Sequence, residues 1–297
     1  MNSRTLANLL LLIILIVFAG YYLTTKNKTA DIKRLTSLTL DEINTIRIPR
    51  ENNLDIVLQK TSSEDNEITW QMLKPYAIKA HQFRINTLLS LTQTPIEDSY
   101  DSRTLTLSDY ALDKPRARIV FNSTEIHFGK TNPLNNKRYL LSNDQLSLVN
   151  DQLYPLVSAQ AATFVDLSLL HNNDIHSISL PDVKIHRLDN IHWESTSSKP
   201  TDKQLSADQI QSLLETWRNA QAFAVHRYLP RKKIGLIKIT FKNSSIDFEL
   251  SDNDPWLIIA RPDLGIEYHL DKSLSHALLT PLLDVPETQG EIDAGTP

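Results

Sequence analysis

The pair Ile119-x-Phe121 and Ile126-x-Phe128 recurs as Ile239-x-Phe241 and Ile246-x-Phe248 with the same internal spacing. The match extends outward in order. Ile46-x-Ile48 corresponds to Ile178-x-Leu180, Trp70 ahead of Lys74-Pro75 to Trp193 ahead of Lys199-Pro200, Leu88-Leu89 to Leu213-Leu214, and Tyr139 to Tyr268. Shared hydrophobic periodicity accounts for only part of such a series. The ordered Trp, Lys-Pro and Phe matches read as a duplication. Each half must then close around its own strands and helix. Period-two alternation at Leu54, Ile56, Leu58 and at Ile68, Trp70, Met72 marks strands with one buried face. Ile210, Leu213, Leu214 and Trp217 follow helical spacing behind a Ser206/Gln209 capping box, which predicts a helix from about Ala207 to Ala220. Further helices are expected at about His81–Thr92, from near Asn143 through Leu146, Val149, Leu153 and Leu156 with Pro155 kinking or ending it, and at Leu274–Leu282. The expected fold class is α+β. A single N-terminal transmembrane helix precedes two tandem, duplicated α+β units with antiparallel sheets, over 39–170 and 171–285, and a polar disordered tail over 286–297.

Ahead of this body, after a short flank over 1–5, Leu9 to Ala19 is an unbroken apolar run. Extended to Leu6–Leu23, its only strongly polar member is Asn8. A spanning helix takes about 20 mostly apolar residues, so this segment qualifies as an anchor in the lipid bilayer. Tyr21 and Tyr22 stand at its edge, where amphipathic rings favour the headgroup zone. Arg4 precedes it and Lys26 and Lys28 follow within a polar linker over 24–38, so local charge leaves the orientation open. The rival is a secretory signal peptide cleaved after Val17-Phe18-Ala19. Both readings carry residues 30–297 out of the cytoplasm. The retained anchor is preferred. It places the chain in the inner (cytoplasmic) membrane as a single-pass protein with a periplasmic body.

Several function classes lack their chemistry. Cysteine is absent, which removes disulfides, thiol catalysis and thiolate metal sites. The six glycines are scattered and form no phosphate-cradling loop. The net charge of -4 has no basic block to follow a phosphate backbone, so no nucleic-acid partner is expected. His171, His176, His186 and His192 cluster in sequence without H-x-H or H-E-x-x-H spacing and read as half-exposed strand residues, giving no metal site. No G-x-S-x-G elbow is present, and Glu64, Asp65, Asp98 and Asp101 fall in expected loops. No catalytic, cofactor-binding or metal residues are assigned, and the chain is expected not to be an enzyme. Asn122-Ser123-Thr124 and Asn243-Ser244-Ser245 form glycosylation sequons but sit where hairpin turns are expected. Trp70, Trp193 and Trp217 are assigned to cores. Trp256, after Asp252-Asn253-Asp254-Pro255, is the freer tryptophan; with Tyr139 and Tyr268 it is a candidate for ligand or partner contact.

The order of elements carries a resemblance. A hydrophobic N-terminal helix is followed by a strand pair, then Trp70 before Lys74-Pro75, then a helix with Leu88-Leu89. Next come Tyr110-Ala111-Leu112-Asp113-Lys114-Pro115, the strand Ala117–Phe121, a hairpin ending Phe128-Gly129-Lys130 and an Arg138-Tyr139 strand. Over most of 40–285 this resembles the DUF4340 family of bacterial envelope proteins. Tyr228-Leu229-Pro230 preserves the Tyr-x-Leu-Asp-x-Pro segment poorly in the second half. The family has no established activity and offers no catalytic residues to carry over. Some members occur with ABC-type transport machinery, including components linked to gliding motility, which implies a transporter-associated role. The expected function is therefore a membrane-anchored interaction or accessory protein with an envelope or transporter partner. The alternatives are a small-ligand or glycan-binding module using the groove between the repeats and, less favoured, an unrecognised hydrolase.

Overall fold

The computed structural model describes residues 11–20, 33–51, 53–62, 67–96, 98–171, 174–189, 192–197, 204–252 and 255–279. The fold is α+β with two antiparallel sheets and few helices. Helix α1 covers 11–20. Strands β1 (Thr45–Ile48), β2 (Ile56–Ser62), β3 (Ile68–Lys74) and β4 (Ile78–Lys79) lead into α2 (Gln82–Ser90). Then come β5 (Ser99–Asp101), β6 (Ala117–Phe121), β7 (Thr124–Thr131), β8 (Lys137–Ser142), β9 (Gln145–Asn150) and the one-turn α3 (Tyr154–Val157). The second series is β10 (Ile175–Ser179), β11 (Val183–Arg187), β12 (Trp193–Ser197), α4 (Ala207–Asn219), β13 (Ala224–Arg227), β14 (Gly235–Phe241), β15 (Ser245–Asp252), β16 (Leu257–Arg261), β17 (Ile266–Leu270) and α5 (Leu274–Leu279).

The first sheet runs β4-β3-β2-β1-β6-β7-β8-β9-β5 and the second β12-β11-β10-β14-β15-β16-β17-β13. Apart from β4, these are one order written twice. A three-strand meander leads to a helix, then to a short strand at the far edge, then to a return into the middle. Even the irregularities correspond: the register shifts between Phe128 and Thr131 on β7 and between Leu250 and Asp252 on β15. A bulge of this kind bends a strand and increases its twist. The expected equivalence of Tyr139 and Tyr268 has no counterpart in this order, since Tyr139 lies on β8 and Tyr268 on β17.

By contacts the chain forms two compact units. One comprises Met1–Glu42, Leu89–Arg118 and Thr124–Leu153; the other comprises Ile43–Leu88, Ile119–Ser123 and Tyr154–Pro297. In the second unit, α4 keeps its expected face: Ile210, Leu213, Leu214 and Trp217 are buried, and Ser206 and Gln209 close the capping box. Trp217 donates its indole N–H to the Leu278 carbonyl at 3.1 Å and packs on Phe248. The Asn122 turn is also as expected, at φ 54, and its side chain accepts the amides of Asn44 and Thr45. In the first unit, Leu35 and Thr94 are hydrogen-bonded through their main chains, at the end of the expected linker.

A further expectation fails, and another is met only in its coarser part. The helix expected from Asn143 is the hairpin β8–β9. Asn143 and Asp144 both have positive φ, 47° and 60°, and join Ser142 to Gln145 as a two-residue primed turn. Pairing with β8 and β5 on its two sides makes Gln145–Asn150 a strand despite its helix-compatible spacing. Of the spanning helix expected over Leu6–Leu23, the described residues 11–20 are helical. Among the described residues no helix is long and apolar enough to cross a membrane. The ends of that segment, Lys199-Pro200, the end of the last expected helix and the tail over 286–297 lie outside the described residues.

The return from edge strand to mid-sheet strand obliges the chain to cross a sheet face. In the first unit this crossing is residues 102–116, which contain Tyr110–Pro115. Tyr110 stacks edge-on against Tyr139 of β8 at 4.9 Å, and the Arg116 amide donates to the Phe128 carbonyl of β7. Gly129, at the β7 bulge, lets the crossing settle: a Cβ there would collide with the Tyr110 carbonyl oxygen and meet Leu112 Cγ at 3.0 Å. Gly129→Ala is therefore expected to destabilise the chain by about 1–3 kcal/mol in chemical denaturation. A loss below about 0.5 kcal/mol, the range of an indifferent surface change, would show that the crossing does not rest on this residue.

Candidate functional site

Strand β13 pairs with β17 so that Ala224 faces His269 and His226 faces Glu267. Opposed residues in an antiparallel pair share a sheet face, so these four lie together, while Val225 and Tyr268 lie on the other face. The chain then crosses from β13 to β14 through 228–234, the counterpart in strand order of 102–116 in the first sheet. Two carboxylates on the sheet pin this crossing. Glu267 of β17 accepts from Arg231 Nη1 at 2.7 Å, from the Leu229 amide at 3.0 Å and from His269 Nε2 at 2.8 Å. Glu249 of β15 accepts from the Tyr228 hydroxyl at 2.9 Å and pairs with Lys233.

Glu267 is 1% exposed. Burial by itself would push its carboxyl up. The hydrogen bonds from Arg231, His269 and the Leu229 amide outweigh that and hold it below the ordinary glutamate range. His226 and His269 have ring centroids 4.5 Å apart. Burial, and then the neighbouring His269, push His226 below the ordinary imidazole range. Beyond them Phe223 meets His269 edge-on and lies 5.0 Å from Trp256. Phe223 and Trp256 are 50% and 43% exposed and form an open aromatic pair on the surface.

A cleft of about 250 Å³ lies within the second unit, lined by Arg84 of α2, Gln160, Thr163 and the Ala224-Val225-His226 run of β13. Main-chain bonds tie the segments that carry Arg84 and Thr163: the His81 amide donates to the Phe164 carbonyl and the Asp166 amide to the Lys79 carbonyl. Burial lowers His81, helped by the charge of Arg84, and burial also lowers His171.

The residues expected to matter are dispersed. Trp256 is on the surface beside this group. Tyr139 is half-buried under Tyr110. Tyr268 is fully buried; its hydroxyl has no hydrogen-bond partner among the described residues, and burial drives its pKa far up. Trp70 and Trp217 are in the core, and Trp193 is half-buried beneath the Arg187 guanidinium. His176 and His186 lie on β10 and β11, His186 near Glu194 and His192 near Asp189. Among the described residues no three His, Asp or Glu side chains are grouped to hold a metal. Arg84, His226, Glu267 and His269 were not singled out from sequence. Glu267-x-His269 alternating with Ile266, Tyr268 and Leu270 was the available signal of a polar outer face. The short strand β13 that completes the group had no such signal.

A family profile, described as a domain of unknown function (DUF4340), matches residues 70–239, more than half of the 297-residue chain. The matched span begins in β3, ends in β14 and contains both crossings. No curated protein and no solved structure matches the chain.

Glu267→Gln removes a buried charge from beneath Arg231 and His269, and is expected to cost about 3 kcal/mol in chemical denaturation at neutral pH. A carboxyl whose folded pKa is depressed contributes stability that is complete above its unfolded pKa and is lost as pH falls through the folded one. The acid limb of stability below the ordinary glutamate range should therefore flatten in E267Q. Identical acid limbs for the two proteins would remove Glu267 as the pin.

Proposed function

Because the chain belongs to the DUF4340 family, whose function is unknown, we propose a role from its own chemistry: a membrane-anchored, periplasmic accessory protein that acts by contact with an envelope partner. The observation that carries this reading is α1. Its apolar side chains from Leu11 to Phe18 are 44–70% exposed, and each would gain about 1.5–3 kcal/mol on leaving water. A bilayer supplies that environment, and the apolar sequence continues on both sides of the described helix. The shared strand order and the matched bulges support descent of the two halves from one duplicated unit. The exposed Phe223–Trp256 pair is suited to partner contact, since aromatic anchors with a polar rim carry much of the energy of protein interfaces. An ABC-type transport system is the partner class that the family resemblance suggests.

Alkaline extraction of cell membranes tests the anchor. The chain is expected in the pellet, and Leu15→Arg, which costs about 2.5–3.5 kcal/mol at a helix centre, should move a substantial share to the supernatant. Recovery of the unaltered chain in the supernatant would overturn the reading. Trp256→Ala is expected to leave stability within about 0.5 kcal/mol while reducing co-purification of transporter components in mild detergent. Equal recovery from both proteins would remove the aromatic pair from the contact.

A further inference from the structure

The cleft beside β13 contains a cation without a counter-ion. Arg84 is half-buried, its guanidinium donates to the Thr163 carbonyl, and among the described residues no carboxylate pairs with it. Burial works against its charge, with no acidic neighbour to offset the effect. An uncompensated charge removed from water is costly, and Arg84 lines the cleft. The cleft is also lined by a sheet-edge strand. β13 has β17 on one side only. The Tyr228 amide donates to the Gly265 carbonyl, which sets the phase of the ladder. Val225 is then out of phase with that bond and turns its main-chain N–H and C=O toward the open edge. Its side chain is buried on the opposite sheet face, so the main chain is what it offers the cleft. His226, the Thr163 hydroxyl and the Gln160 amide supply further donors.

From this arrangement we propose that the cleft is a binding site for a small oxyanion, a carboxylate or phosphate group, held by Arg84 with Val225 N–H, Thr163 and His226 as partners. A planar guanidinium fork beside a main-chain N–H matches the geometry of such groups. The volume of about 250 Å³ is below the 300–1,000 Å³ of clefts for drug-sized ligands, so the site takes an acidic group and not a whole nucleotide cofactor. The site lies within the second unit and does not depend on whether the chain is anchored in a membrane.

The full chain in detergent, titrated calorimetrically with inorganic phosphate and with acetate against a chloride background, tests this. Saturable binding of one equivalent of either anion is expected. Phosphate alone would assign a phosphoryl group, acetate alone a carboxylate, and both the shared oxyanion chemistry. Arg84→Gln should weaken binding roughly tenfold or more, but it also disturbs the bond to Thr163. Thr163→Val keeps the carbonyl that Arg84 holds while deleting the hydroxyl. It should weaken binding with an unchanged melting temperature. Absence of saturable binding to the unaltered chain would overturn the assignment. So would unchanged affinity in both variants, because Arg84 would then only fasten Thr163.

Discussion

Each sheet sends its chain from an edge strand back to a strand in its middle, and the rest of the architecture depends on how that crossing is held. The crossing must lie on a sheet face, with its own polar main chain over polar and apolar side chains. In the first unit, contact is made through close approach: Gly129 lacks a Cβ at the β7 bulge, and Tyr110 and Leu112 settle there. Arg138 of β8 is buried beside it, bonded to the Gly129 carbonyl and to Asp151, both at 2.6 Å. The second unit holds its crossing by charge. Glu267 and Glu249 are the fixed anions on the sheet, and Arg231, Lys233, Tyr228 and the Leu229 amide come down to them. One topology is thus secured by sterics and a buried cation in one case and by buried anions in the other.

The Tyr-x-Leu-Asp-x-Pro segment is clear in the first half, and the second half has only Tyr228-Leu229-Pro230 in its place. Both lie in crossings between corresponding strands. Only the first must pass over a glycine bulge, and only the second must present cations to two carboxylates. The candidate site follows from the second solution. Pinning 228–234 leaves β13 as a short strand on the sheet edge, with His226 and His269 beside Glu267, and with Ala224, Val225 and His226 lining the cleft. A short edge strand limits uncontrolled pairing with other chains.

Much of the fold was legible because it rests on local periodicity. Alternation marked most of the strands around both sheet centres, and the 3.6-residue stripe with its Ser206 cap marked α4. Where the pattern was ambiguous, non-local pairing decided. Leu146 and Val149 suit a helix or a strand, and the primed turn at Asn143-Asp144 with neighbours β8 and β5 makes them a strand. β5 and β13 are three and four residues long, too short to show a period.

By itself the sequence determined an α+β chain of two similar strand-helix-strand series, a concentrated apolar segment before them, membership of a family and the absence of cysteine chemistry. These are properties of composition, order and spacing, which survive without coordinates. Tertiary structure alone decided that Tyr268 is buried, that His226 lies across from Glu267, and that Arg84 and β13 line one cleft. Those relations join residues far apart in the chain. Their proximity is set by strand register and by the path of the crossings, and no local pattern encodes either.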